Sequence, residues 1–273
     1  MKRLLLLPAA ALLAAGAFFV SAAASSADSS GLPTLTLSLT GSSISVSGTV
    51  QSGAVNVAAA STAKDAEPTL VHLNPGVTAD QLLAAAPHTP DPNAIAPYGQ
   101  IVFDADAPKG TTNYQTVLPA GDYVALDTSS DNPAKWSHTT FTVAQSASLA
   151  ALPAASSTVR AIEFGFKTPR TLHNGKVVRF QNDGFLVHMV IGIRAKNSKG
   201  ARTITRLLKA GRDSKAQRLA TGFSMFMGPV SHGGEQQTTL KARPGIWVLA
   251  CFMSTQDNRE HTQLGMLHTI RIK

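Results

Sequence analysis

A single cysteine, Cys251, in 273 residues leaves no intramolecular disulfide to hold this chain together. No cysteine sits near the small residues after the N-terminal apolar run, so a lipid anchor on an N-terminal cysteine is not expected. Beyond that run, no second apolar stretch is long enough to span a bilayer. The basic residues are not interleaved with aromatics along a groove, and no nucleic-acid-binding motif accompanies them, so nucleic acid is not an expected partner.

At the N-terminus, Lys2 and Arg3 precede an apolar run from Leu4 to Val20, and Ser21-Ala-Ala-Ala24 offers small residues for cleavage. Residues 1–24 therefore read as a secretory signal peptide, and the mature protein is expected to be secreted or extracytoplasmic, in a periplasm or at the cell surface. In such a protein Cys251 is a buried hydrophobe, a reactive thiol or a ligand. Charge is divided sharply along the chain. From Leu32 to Val143 three basic residues face nine acidic ones, a net of −6, whereas from Thr158 to Lys273 nineteen basic residues face six acidic ones, a net of +13. Opposite charge favours docking of the two halves, and a basic surface suits an anionic cell-surface polymer or an acidic redox partner protein.

Strict alternation in Thr34-Leu-Thr-Leu-Ser-Leu-Thr40, Ser43-Ile-Ser-Val-Ser47 and Ala54-Val-Asn-Val57 predicts half-buried strands with polar outer faces. Further strands are expected at residues 70–73, 100–103, 113–118, 122–126 and 139–143. One short helix interrupts them, with Thr78 and Gln81 forming a capping box ahead of Leu82 and Leu83. Residues 146–157, rich in Ala and Ser, read as a linker. The order of events then repeats. Leu118-Pro-Ala-Gly-Asp-Tyr-Val-Ala-Leu-Asp127 matches Ala242-Arg-Pro-Gly-Ile-Trp-Val-Leu-Ala-Cys251, and Thr78-Ala-Asp-Gln-Leu-Leu83 matches Thr203-Ile-Thr-Arg-Leu-Leu208. Two tandem all-β units are expected, residues 32–145 and 158–273, each with a short inserted helix.

Chemistry concentrates in the second unit. Nine residues separate Cys251 from His261 and four separate His261 from Met266. A thiolate, an imidazole and a thioether on one loop suit a soft metal, and a second histidine would complete a His₂Cys site with a weak axial Met, a geometry that favours copper. In the first unit the slot of Cys251 holds Asp127, and residues 129–136 contain neither His nor Met. The donor set thus belongs to the second unit alone. A Cu(I) role for Met225, Met227 and His232 ranks lower than core packing, and a Cys251 nucleophile assisted by His261 and Asp257 or Glu260 has no motif context.

The second unit resembles a cupredoxin, the blue copper fold. The resemblance rests on Asn182-Asp-Gly-Phe-Leu-Val-His188, on the Pro-Gly turn before the aromatic strand that ends in Cys251, and on His261-Thr-Gln-Leu-Gly-Met266. It covers residues 158–273 by motif and 34–143 by repeat pattern. It implies two Greek-key β-sandwiches, with His188, Cys251 and His261 as strong equatorial ligands and Met266 as the weak axial ligand of one copper ion. Two departures stand out. The gap from Cys251 to His261 is longer than in the small electron carriers, and Met189 follows His188 where the family often has an asparagine that ties the ligand loops together. With four protein ligands and no His-x-His pair for an oxygen-reducing cluster, the resemblance implies electron transfer or copper handling, not an enzyme. The alternative is a metal-free cupredoxin-fold module for binding or adhesion at the cell surface.

Overall fold

The computed structural model describes residues 31–48, 50–86 and 92–273; the signal-peptide expectation for residues 1–24 lies outside the described residues. Among the described residues no helix is long and apolar enough to cross a membrane. The chain is all-β. The first half runs β1 (Thr34–Leu39), β2 (Ile44–Ser47), β3 (Gly53–Ser61), β4 (Pro68–Leu73), α1 (Ala79–Ala85), β5 (Gly99–Asp104), β6 (Gly110–Leu118), β7 (Gly121–Asp127) and β8 (His138–Val143). After the irregular residues 146–156 come β9 (Ser157–Ile162), β10 (Gly165–Lys167), β11 (Thr171–Leu172), β12 (Val177–Asn182), β13 (His188–Ala195), α2 (Ser198–Lys209), α3 (Asp213–Leu219), β14 (Ala220–Val230), β15 (Glu235–Thr239), β16 (Gly245–Ala250) and β17 (Leu267–Ile272).

One eight-stranded sheet reads the same from either end. Its order is β10-β9-β12-β15-β6-β3-β1-β2. On each side of the β15–β6 junction the pairings run antiparallel, parallel, antiparallel. The remaining strands pair as β5-β4-β7-β8 in the first half and as β14-β13-β16-β17 in the second, with β11 added at the β17 edge. Both halves also anchor the aromatic of the strand before the site loop in one way. Tyr123 donates its hydroxyl to Pro119 O at 2.8 Å and Trp247 its Nε1–H to Arg243 O at 2.9 Å, each four residues back.

Three features differ from the sequence expectation. First, β4, β5 and β7 are buried on both faces. Leu70, Phe103, Tyr123 and Ala125 enter the first half's own core. Val71, Leu73, Ile101, Val124 and Leu126 join the core built around Phe180, Trp247 and Cys251. The second half covers the face that alternation would leave to solvent, which is why these strands read as nearly continuous apolar runs. Second, α1 has the full capping box, but the second half inserts a pair of helices. Asn197, whose Oδ1 accepts from Gly200 N at 2.9 Å, caps α2, and Thr203 lies inside that helix rather than at its start. Ala201, Ile204 and Leu208 then fall on one stripe and pack on Ile193, Ala195, Val248 and Ala250. Third, β15 is a strand made of Glu, Gln and Thr, and its buried Gln236 and Gln237 pair with Thr116 and Gln115 of β6.

Candidate metal centre

Three of the four predicted donors sit at or beside the end of a strand. His188 opens β13, Cys251 follows the last residue of β16, and Met266 immediately precedes β17. The long gap from Cys251 to His261 does not separate them. An isolated bridge between Ser254 and Glu260 closes residues 255–259 into a small excursion, with Asn258 at φ 60° and its N–H on Thr255 O at 2.8 Å. His261 N then returns to Met253 O at 2.8 Å, Met266 N reaches His261 O at 2.9 Å, and Cys251 N reaches Met266 O at 3.4 Å.

The result is a triangle of donors. His188 Nδ1 lies 3.1 Å from His261 Nδ1, and Cys251 Sγ lies 3.8 Å from the first and 3.4 Å from the second. A point about 2.0 Å from each nitrogen and about 2.3 Å from the sulfur can be placed among three atoms so spaced, and these are the usual metal–nitrogen and metal–sulfur distances. All three side chains have 0% exposure, as does Met266. Among the described residues, His188, Cys251 and His261 form a group that could hold a metal ion. Two imidazoles and one thiol with Nδ1, Nδ1 and Sγ converging fit one type 1 copper.

Electrostatics at the centre favour a neutral imidazole at His188. Burial, then the neighbouring His261, push His188 down to about 4 against the pull of Glu163. Burial pushes the Cys251 thiol up to about 12, although the backbone N–H groups of Met189 and Met253 oppose it. A thiol with 0% exposure and so little thiolate is unsuited to the nucleophile role. Asp257 and Arg259 are ion-paired to each other at 2.7 Å on the exposed excursion.

A shell that sequence reasoning did not identify surrounds the donors. Glu163 and Phe164 form the two-residue turn between β9 and β10. Phe164 holds a left-handed φ of 55°, unusual for a bulky side chain, and its ring meets the His261 ring edge-on with centroids 5.2 Å apart. Glu163 Oε1 accepts from Phe185 N and from Leu186 N, and stands 3.8 Å from His188 Nε2. Burial works to raise this carboxyl, but the Leu186 and Phe185 N–H groups and His188 outweigh it and hold it below its ordinary value. The His188 loop is braced from within by Asn182, whose Nδ2 donates to Leu186 O at 2.8 Å and Val230 O at 2.9 Å while its Oδ1 accepts from Gly184 N at 2.9 Å. The first half adds Asn93 Oδ1, which accepts from Val187 N at 2.6 Å. Met189 ties the donor loops with its backbone, its N–H directed at Cys251 Sγ at 3.4 Å.

The remaining sequence candidates lie outside this triangle. Met225 and Met227 pair with Ile191 and Val190 across β13–β14. His232 Nδ1 lies 2.9 Å from Gly184 O, and its ring stacks on the exposed Phe185. His72 stacks on Tyr123, with its Nε2 3.1 Å from Ala120 O.

No family model and no curated protein matches this chain. Among solved structures it is similar to Na-dithionite-reduced auracyanin from the photosynthetic bacterium Roseiflexus castenholzii, at 15% identity over 44% of this chain and 99% of that one, with a TM-score of 0.27. It is also similar to auracyanin A, a blue copper protein of Chloroflexus aurantiacus, at 17% identity over 42% and 96%, with a TM-score of 0.24. A Cu-containing nitrite reductase from Thermus scotoductus SA-01 is similar over 88% of this chain and 67% of that one, at 12% identity and a TM-score of 0.25. Likenesses this distant decide nothing about the donors, which stand on the distances above.

Proposed function

We propose that this is an exported protein of two tandem cupredoxin-like domains, residues 32–145 and 158–273, whose second domain holds one type 1 copper for electron transfer or copper handling. The observation that carries the reading is the buried Nδ1, Nδ1, Sγ triangle. His188, Cys251 and His261 would be the equatorial ligands, and Met266, buried beside them on the same loop, the weak axial one. Export rests on the signal-peptide pattern of residues 1–24. A bound copper would supply a one-electron redox couple. The protein's own part is to hold His188 neutral, keep water out, and fix the donors so that little rearranges when the charge changes. Four protein ligands leave no open position, so electron passage, not substrate turnover, is the expected use.

The test is a Cu(II) titration of the mature protein, followed at the visible thiolate-to-copper band. An intense band is expected with the wild type and none with Cys251→Ser. Bound copper should also raise the melting temperature by mass action, with about 2.7 kcal/mol of stabilisation at a hundredfold excess over Kd. A colourless protein with unchanged melting would overturn the copper reading in favour of the metal-free binding module.

A further inference from the structure

The helical pair α2–α3 presents a row of cations that outnumber the acids beside them, Asp213 and Glu260. Lys199, Arg202, Arg206 and Lys209 succeed one another at intervals of three, four and three residues. They therefore share one face of α2, opposite the stripe of Ala201, Ile204 and Leu208 that is buried on the sheet. At 1.5 Å per residue the row is about 15 Å long. Arg212 in the inter-helix turn and Lys215 in α3 extend it. All six are exposed, and none is in a salt bridge among the described residues. Asp213, the one acid in these helices, has its Oδ1 buried.

This row ends at the donor loop. A Cβ at Gly211, in the α2–α3 turn, would lie 3.2 Å from Gln263 Nε2, and one at Gly265 would lie 3.7 Å from Lys209 Cε. The turn thus packs on residues 261–266, between His261 and Met266. We propose that the α2–α3 turn is the docking surface for an acidic one-electron redox protein, which exchanges its electron with the donor cluster through the His261–Met266 loop. This rests on the copper reading above. One electron passes, in either direction: the centre that gives it is oxidised by one unit, the centre that takes it is reduced by one, and no atom or proton is transferred. A bilayer is the poorer fit, because the apolar stripe of α2 is buried on the sheet and Leu219 at the end of α3 is the one large apolar side chain the pair leaves exposed. An anionic polymer needs charge alone, with no preference for the end that touches the donor loop.

The experiment compares the wild type with Arg206→Glu/Lys209→Glu/Arg212→Glu and with a control of equal charge change at the far end of the sheet, Lys176→Glu/Lys241→Glu/Lys273→Glu. Stopped-flow oxidation of the reduced, copper-loaded protein by hexacyanoferrate(III) is followed at the visible band in low and high salt. The rate is expected to fall at least tenfold in the turn variant at low salt and much less in the control, with the difference vanishing at high salt. The cationic oxidant tris(phenanthroline)cobalt(III) should show the opposite order. Equal rates in the two variants would overturn the proposal. Absence of any visible band would instead fail the copper reading, and the electron route with it. The surface is then judged on the copper-free chain with fluorescein-labelled poly-L-glutamate and with phosphatidylglycerol vesicles. Polyglutamate binding lost in the turn variant alone upholds the surface, whereas binding to vesicles only, or equal loss in both variants, overturns it.

Discussion

Gly184 is the position at which the site's outer shell can be broken with the smallest chemical change. A Cβ there would lie 2.6 Å from Glu163 Oε1, 2.6 Å from His188 Nε2 and 2.8 Å from His188 Cδ2. Ordinary contacts begin near 3.4 Å, so Gly184→Ala needs clearance on two sides at once. Neither neighbour can give way freely. The His188 ring has 0% exposure and is stopped by His261, and the Glu163 carboxylate is held by the N–H groups of Phe185 and Leu186. Overpacking of this kind costs about 1–3 kcal/mol. We expect about 2 kcal/mol lost in the urea unfolding of the metal-free protein. Displacing the ring from the donor triangle should also weaken copper binding about tenfold or more, in line with the loss of other outer-shell supports. Gly200→Ala is the control. Its Cβ would meet nothing closer than 3.6 Å, and as the third residue of α2 it should be neutral or stabilising by up to about 1 kcal/mol. Gly184→Ala with the wild-type urea midpoint, copper affinity and visible band would refute the idea that this turn fixes His188.

Other perturbations follow from the same contacts. Asn182→Ala removes two donated bonds and one accepted bond from a side chain with 0% exposure and should cost about 2–4 kcal/mol; Asn182→Asp, which keeps the acceptor for Gly184 N, should recover only part of that by urea midpoint. Gly228→Ala would place a Cβ 1.7 Å from the buried Asp104 Oδ1 of β5, so it should cost about 3 kcal/mol and loosen the contact between the halves, read as a lost single unfolding transition. Burial, then Asp106, push Glu67 up to about 7, and burial with Glu67 pushes Asp104 up as well. The folded state then holds protons that the unfolded chain releases above its ordinary carboxylate range. This carboxylate contribution is present in full below about pH 4.5 and is lost as pH rises through 7, by about 2 kcal/mol between pH 5 and pH 8; His188, held down to about 4, works in the opposite sense over the same range, so the contribution is read as the difference between the metal-free wild type and Glu67→Gln. The stability of the wild type relative to Glu67→Gln should fall by about 2 kcal/mol from pH 5 to pH 8 by urea midpoint, and a difference that does not change across that range would refute the assignment.

What could be read from the sequence was what local pattern and residue type determine. Alternation in residues 34–40 and 43–47 is produced by one buried and one wet face, and β1 and β2 lie there. Cys251 and His261 could be singled out because a thiol, an imidazole and a thioether lie close together on one loop, and His188 through the resemblance of its loop to the cupredoxins; the structure brings the three together. Long-range cover could not be read. Val71 and Val124 look alike whether their second face meets solvent or another layer, and only the docked second half decides it. The polar run at residues 235–239 carries no apolar period. It becomes a strand because Gln237 Nε2 reaches Gln115 Oε1 at 2.8 Å and Thr116 Oγ1 reaches Glu235 O at 2.6 Å across the junction of the halves.

Phe164 shows the opposite case, in which local preference is overridden. A two-residue hairpin loop favours Gly or Asn where φ is positive, and Ile162-Glu-Phe-Gly165 places its glycine one residue late. The left-handed φ of Phe164 costs about 1–2 kcal/mol by intrinsic preference. That cost is offset only by contacts outside the turn, and the contacts present are the Phe164 ring on His261 and the Glu163 carboxylate beside His188, one residue for each histidine. A glycine at 164 would relieve the strain and uncover His261. Phe164→Gly should therefore leave the metal-free fold near its wild-type stability while it speeds loss of copper to a chelator, a separation of effects that a residue serving only the hairpin could not produce.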